Sequence, residues 1–207
     1  MLTTNLFLMV ESKIRWIEKF QTRLSDRQAL DLLLVITGSR PACLIMDPNQ
    51  DAQRDLQKFC QKEDYFYKIY TDNNSSSLGD QGFFITSDME RLSMLENSTG
   101  RFYGLDDRDV GRFLGFPKED SEYFHENIKT SPVEPEMREK INELRKDNEI
   151  SQKEAELIEL VSYIPKPADE NIYSAIERGK KHFESINNFD NSNNTNIGKN
   201  ILEDFYG

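Results

Sequence analysis

Cysteine and histidine are scarce in this chain, two of each among 207 residues. Cys43 and Cys60 sit inside apolar or amphipathic stretches, far in sequence from His125 and His182. No zinc-ligand spacing and no disulfide framework follow, and both thiols read as buried and reduced. Long apolar runs are missing as well. Leu6 to Val10 lacks a basic segment ahead of it and is shorter than the ~7–15 residues of a secretory core, and nothing approaches the ~18 apolar residues of a membrane span. Positive charge is in deficit: 26 Lys and Arg against 37 Asp and Glu leave a net charge of -11. Such a surface repels phosphate, which excludes general nucleic-acid binding. There is no Gly-x-Ser-x-Gly elbow, P-loop, dinucleotide fingerprint or His-Glu-x-x-His. The expectation is an acidic cytoplasmic protein with no membrane, nucleic-acid, metal or cofactor partner.

What is present is enough for a core: 37% hydrophobic residues, including 13 Phe and 8 Tyr. Ile14, Ile17, Phe20 and Leu24 recur at helical spacing from about residue 11. Ser25 and Gln28 form a capping box that opens a helix apolar on nearly every side, Ala29 to Ile36, which predicts a buried central helix. Ala42 to Met46 reads as a strand covered on both faces. Asp47 reads as the N-cap of the next helix, with Pro48 in its first turn. Tyr65 to Thr71 and Gly82 to Thr86 read as two more strands. Strand, helix, strand implies a parallel crossover, and the second and third strands pair as a wide antiparallel hairpin.

From Ser87 onward the pattern is helical. A capping box is predicted at Ser87, helix starts at Ser131 and Ser151, and an Asp106 cap with Leu105 and Val110 as a hydrophobic staple. Ile172 to Ile186 predicts a last long helix. Residues 187–200 hold seven Asn and almost nothing apolar, which predicts a flexible tail ending in a short apolar segment, 201–206. The fold class expected is α+β: one helix-rich domain over 1–186 around a small mixed three-stranded sheet, with an α/β part at 1–86, a helical part at 87–186, and the tail at 187–207.

The chemistry-bearing candidate is the corner at residues 100–117. Gly100, Gly104, Gly111 and Gly115 are interleaved there with Arg101, Arg108 and Arg112 and with aromatics. Glycine near a helix start admits a ligand to backbone amides, and arginine matches a carboxylate or phosphate fork. The same pattern also describes close helix packing at Gly111, a helix stop at Gly115 and a solvated arginine face. Asp47, at the C-terminal end of a strand, joins Gly100, Gly104, Arg101, Arg108 and Arg112 as a ligand candidate. Asp106, Asp107 and Asp109 read as first-turn acids that match the helix dipole.

Gly111-Arg-Phe-Leu-Gly-Phe-Pro117, then Tyr123-Phe124 and Ser162-Tyr-Ile-Pro165, resembles an uncharacterised archaeal family that carries Gly-Arg-x-Leu-Gly-Tyr-Pro followed by cysteines and a Tyr-Ile-Pro-Cys segment. Here Lys118-Glu-Asp120 and Lys166 stand where those cysteines would be. The resemblance therefore implies a shared helical corner and nearness of the two proline-marked segments, and no thiol chemistry. Two functions are expected: a non-catalytic protein binding a small ligand or a protein partner, or an enzyme acting on a small anionic substrate at the corner.

Overall fold

The computed structural model describes residues 2–71, 81–100, 102–127 and 133–206, with residues 2–10 and 133 described by backbone alone. Helix α1 (Leu2–Gln21) leads into α2 (Asp26–Ile36). Both arms of the Ser25–Gln28 capping box form, and every residue from Ala29 to Ile36 is buried except Asp31, which is half-buried. Strand β1 (Ala42–Met46), helix α3 (Gln50–Lys62), strand β2 (Phe66–Thr71) and strand β3 (Gln81–Thr86) follow.

The sheet order is β1-β3-β2, and both pairings are antiparallel. The expected crossover is therefore split. β1 and β2 point the same way, but β3 lies between them, so the sheet has no parallel pair and is not mixed. Burial explains the order. β3 is covered along almost its whole length, whereas β2 is only half-buried, as an edge strand is. The β2–β3 hairpin is antiparallel as expected; its loop, 72–80, lies outside the described residues.

Side chains alternate across the sheet. Cys43, Ile45, Phe83 and Ile85 face a main core with α1, α2 and α3. Ala42 and Phe84 face a second core with Leu95, Leu105, Val110 and Phe113. That second core includes α5 (Asp107–Leu114), which is reached through the short helix α4 (Met89–Ser93) and an irregular stretch. The helical region thus does not run unbroken from Ser87, and Asp88 is the cap of α4 in place of Ser87.

Next come α6 (Lys118–Asn127), α7 (Val133–Lys146), α8 (Gln152–Ile158), a 3-10 turn at Glu159–Val161 and α9 (Asp169–Asn193). The predicted start at Ser131 lies outside the described residues. A third core forms between α7, α8 and α9 around Met137, Leu144, Ile158 and Ile172. The chain then turns at Asn194, which takes the left-handed conformation, into α10 (Ile197–Tyr206). The expected flexible tail is therefore incorrect as secondary structure. The asparagines continue α9 by two turns, and Ile197, Ile201 and Leu202 of α10 are buried in the main core. Among the described residues, no helix is long and apolar enough to cross a membrane.

Candidate functional site

The glycine–arginine corner begins with a tight hairpin. Phe102 and Leu105 exchange backbone hydrogen bonds at 3.1 and 2.9 Å around Tyr103 and Gly104, whose φ angles are +52° and +76°. Two successive positive φ values are the turn that suits a two-residue hairpin, and Gly104 meets that need. A Cβ on Gly100 would stand 2.4 Å from the Leu105 carbonyl oxygen, so this glycine permits a close backbone approach. Asp106 caps α5, accepting the Arg108 amide at 2.8 Å, with Leu105 and Val110 buried on either side as the staple requires. Gly115 ends α5 in the left-handed conformation.

The two described arginines of this corner, Arg108 and Arg112, each pair with a neighbouring acid of their own helix or its cap. Arg108 grips its own helix cap, donating from Nε and Nη2 to the two Asp106 oxygens at 2.9 and 2.8 Å. That fork holds the Asp106 carboxyl well below the usual carboxylate range. Arg112 pairs with Asp109 at 3.2 Å and is 60% exposed. Arg101 lies outside the described residues. Asp47 is neither an N-cap nor close to this group in role. It takes φ +46°, donates its amide to the Gln81 carbonyl at 2.8 Å and accepts the Gln81 amide at 2.6 Å, which extends the β1–β3 pairing. Asn49 caps α3 instead, accepting the Ala52 amide at 2.9 Å, so Pro48 precedes the cap and does not enter the first turn.

The inner side of the same corner lines a cavity of about 320 Å³. This is near the lower end of the ~300–1,000 Å³ common for small-molecule pockets. Among its lining are Leu44 and Met46 of β1, Val110 and Leu114 of α5, Phe116 beyond its end, Phe124 of α6, and Ser162 to Ile164, with Asp31 of α2, Arg40 and Phe102 beside them. The two proline-marked segments meet across it. The rings of Phe116 and Tyr163 lie 5.0 Å apart, and the Lys166 amide donates to Asp120 Oδ1 at 2.9 Å. A larger groove of about 680 Å³ shares Ser162–Ile164 in its lining, but that lining is more polar, and its Arg138 is paired with Glu134.

Two polar clusters frame the cavity. In the first, Arg40, 5% exposed, donates to Asp31 Oδ1 at 2.6 Å, to Ser162 Oγ at 2.7 Å and to the Leu160 carbonyl at 3.0 Å. Ser162 Oγ also donates to Asp31 Oδ1, and Ser162 itself takes φ +61°. This triad ties the start of the Ser162–Ile164 segment to α2. Beside it the Cys43 thiol is pushed up, well above its usual range, by burial.

The second is centred on Asp120, 2% exposed. Its Oδ1 accepts from Lys166 N and from Asn171 Nδ2, the latter at 2.7 Å, while its Oδ2 is buried with no hydrogen-bond partner. Burial pushes its pKa up, against the hydrogen bonds that favour the charged form. The Tyr163 hydroxyl is also buried without a partner, and burial raises its pKa to about 12.

Asp31, Arg40, Asp120, Ser162 and Tyr163 are absent from the candidates that the sequence supplies. Asp31 offered one signal, as the single charged residue inside the apolar run Ala29 to Ile36. Asp120 offered none, because an acid in the first turn of a helix looks like ordinary dipole matching. Among the described residues, no three His, Cys, Asp or Glu side chains are grouped to hold a metal ion. Comparisons with protein-family models, curated proteins and solved structures find no match to this chain.

Proposed function

We propose that this is a non-catalytic binding protein whose ligand is a small molecule held in the cavity between β1, α5, α6 and Ser162–Ile164. The observation that carries this reading is a cavity lined mainly by apolar and aromatic side chains, two of whose lining residues, Asp120 and Tyr163, each hold a buried polar atom without a hydrogen-bond partner. An unpartnered buried polar group costs ~1–3 kcal/mol. A ligand that completes either hydrogen bond offsets that cost, while Leu44, Val110 and Leu114 take its apolar surface.

Binding is favoured over catalysis by the state of the nucleophiles. The Ser162 hydroxyl is held between Asp31 and Arg40, not by a histidine base, and the Cys43 thiol is disfavoured from ionising. An enzyme for an anionic substrate at the corner has less support, because Arg108 and Arg112 are already paired with Asp106 and Asp109.

The test is a fragment screen followed by two-dimensional NMR of the full chain. The expected result is that neutral aromatic fragments perturb amides in Val110–Phe116 and Ser162–Ile164 together. Perturbations confined to other surfaces, or none across the library, would remove the reading.

A further inference from the structure

We infer that Asp120 and Asn171 form a proton-dependent clasp between α6 and α9: in the acid form of Asp120 its Oδ2 hydroxyl donates to Asn171 Oδ1, and loss of that proton opens the bond. This goes beyond the cavity reading and does not rest on it; the Tyr163 hydroxyl remains for a ligand to complete.

The two side chains come from the first turns of their helices and meet across 51 positions of sequence. Asp120 Oδ1 accepts from Asn171 Nδ2 at 2.7 Å and from the Lys166 amide at 2.9 Å, which uses both lone pairs of a carbonyl oxygen. The other oxygen of each side chain, Asp120 Oδ2 and Asn171 Oδ1, is buried and has no hydrogen-bond partner. With the carboxyl ionised both are acceptors, so one bonded pair holds two orphans. A hydrogen on Oδ2 turns one of them into a donor for the other, and acid and amide then pair through two bonds. Both groups are planar and turn freely about their last torsion, so the second bond closes without moving either helix. One proton thus satisfies two buried atoms that are costly to leave unpaired.

The surroundings favour the acid form. Burial is the largest influence on the Asp120 carboxyl and raises its pKa; Glu119 on the same helix pushes the same way, and Arg178 of α9 pushes the other. Arg178 is engaged elsewhere, donating to the Gly115 carbonyl at 2.7 Å and standing 5.8 Å over the Tyr163 ring. Lys118 is 3.6 Å from Glu122, His125 is 3.4 Å from Asp107, and Lys166 gives Asp120 its backbone amide. Glu170, beside Asn171, adds a further negative charge to the pocket that Asp120 and Lys118 share. Between the ordinary aspartate value of ~3.9 and its own raised value, the folded chain keeps a proton that the unfolded chain has lost. The clasp therefore stabilises fully below ~3.9, and its contribution is lost as the pH rises through the folded value.

Carbon NMR of the full-length chain tests this by following the Asp120 side-chain carboxyl as the pH is raised. The expected midpoint lies well above ~3.9, and a midpoint at or below that value would overturn the clasp. Asp120→Asn supplies the second measurement, because its amide donates to Asn171 Oδ1 at every pH. Urea unfolding of both chains over one pH series isolates this group, since the other groups titrate in both. D120N should unfold at the same urea concentration as the wild type in acid and at a higher one at neutral pH. A folded D120N that is less stable than the wild type at every pH would show that the fold uses the carboxylate, and would overturn the clasp as well. The wild-type titration decides the matter even if D120N fails to fold.

Discussion

His182 carries a consequence for stability that its neighbours dictate. It sits on α9, 4% exposed, with Nδ1 2.6 Å from the Ser39 hydroxyl. Burial, reinforced by the positive charges of Arg40, Arg178 and Arg27, lowers its pKa to about 3. The ordinary value is near 6.5. Below that value the unfolded chain takes up a proton that the folded chain refuses, so stability falls as the pH drops from about 6.5 toward 3. Urea unfolding across this range should show the fall, at up to about 1.4 kcal/mol per pH unit from this group. His182→Gln, which cannot be protonated there, should flatten that arm. The same slope in wild type and variant would show that His182 takes up its proton without unfolding. The same principle explains why the residues of the cavity escape a linear reading. Asp120 looks like a surface acid until Lys166 and Asn171, 46 and 51 positions away, close over it.

Among the elements, the tightest crossing is that of α8 and α9. A Cβ on Gly179 would stand 2.1 Å from the Leu157 carbonyl oxygen, a backbone atom with no side-chain freedom to yield. Gly179→Ala should therefore destabilise the fold by about 1–3 kcal/mol through overpacking, even though alanine favours a helix by ~1 kcal/mol over glycine. Chemical unfolding would register this as a lower midpoint at unchanged slope. A variant as stable as the wild type would show that the two helices are not held in contact. Local capping signals transfer from sequence to structure to within a residue or two. The Ser25 box, the helix start at Ser151 and the Asp106 cap all form, because each bonds to an amide within three residues, while the caps expected at Ser87 and Asp47 fall instead on Asp88 and Asn49. Strand pairing is not local. Nothing within Ala42–Met46 or Phe66–Thr71 says that β3 will lie between them; that choice follows from which strand the surrounding helices bury most completely.

At the scale of the whole molecule, the C-terminal helix closes the main core. An Asn-rich stretch lacks the apolar surface to order itself, and composition alone therefore points to a loose tail. The structure replaces that missing driving force with one buried acid. Asp190, 7% exposed, accepts the Gly198 amide at 3.0 Å and the Thr195 hydroxyl at 2.7 Å on Oδ1, and the Lys199 amide at 2.9 Å on Oδ2. These bonds satisfy orphan donors at the start of α10 and aim its apolar face, Ile197, Ile201 and Leu202, against α2 and α9. Asp190→Ala should cost about 1–2 kcal/mol, the upper part of the range for a lost helix cap, because the donors it serves are themselves buried. Asp190→Asn, which keeps one acceptor oxygen, should cost less. Amide exchange distinguishes this from a docked but dispensable tail. In D190A the amides of α10 should exchange faster than those of α2, whereas in the wild type both helices should be protected to a similar degree. If α10 exchanges freely in the wild type as well, it does not close the core, and the expectation of a flexible tail is the better description.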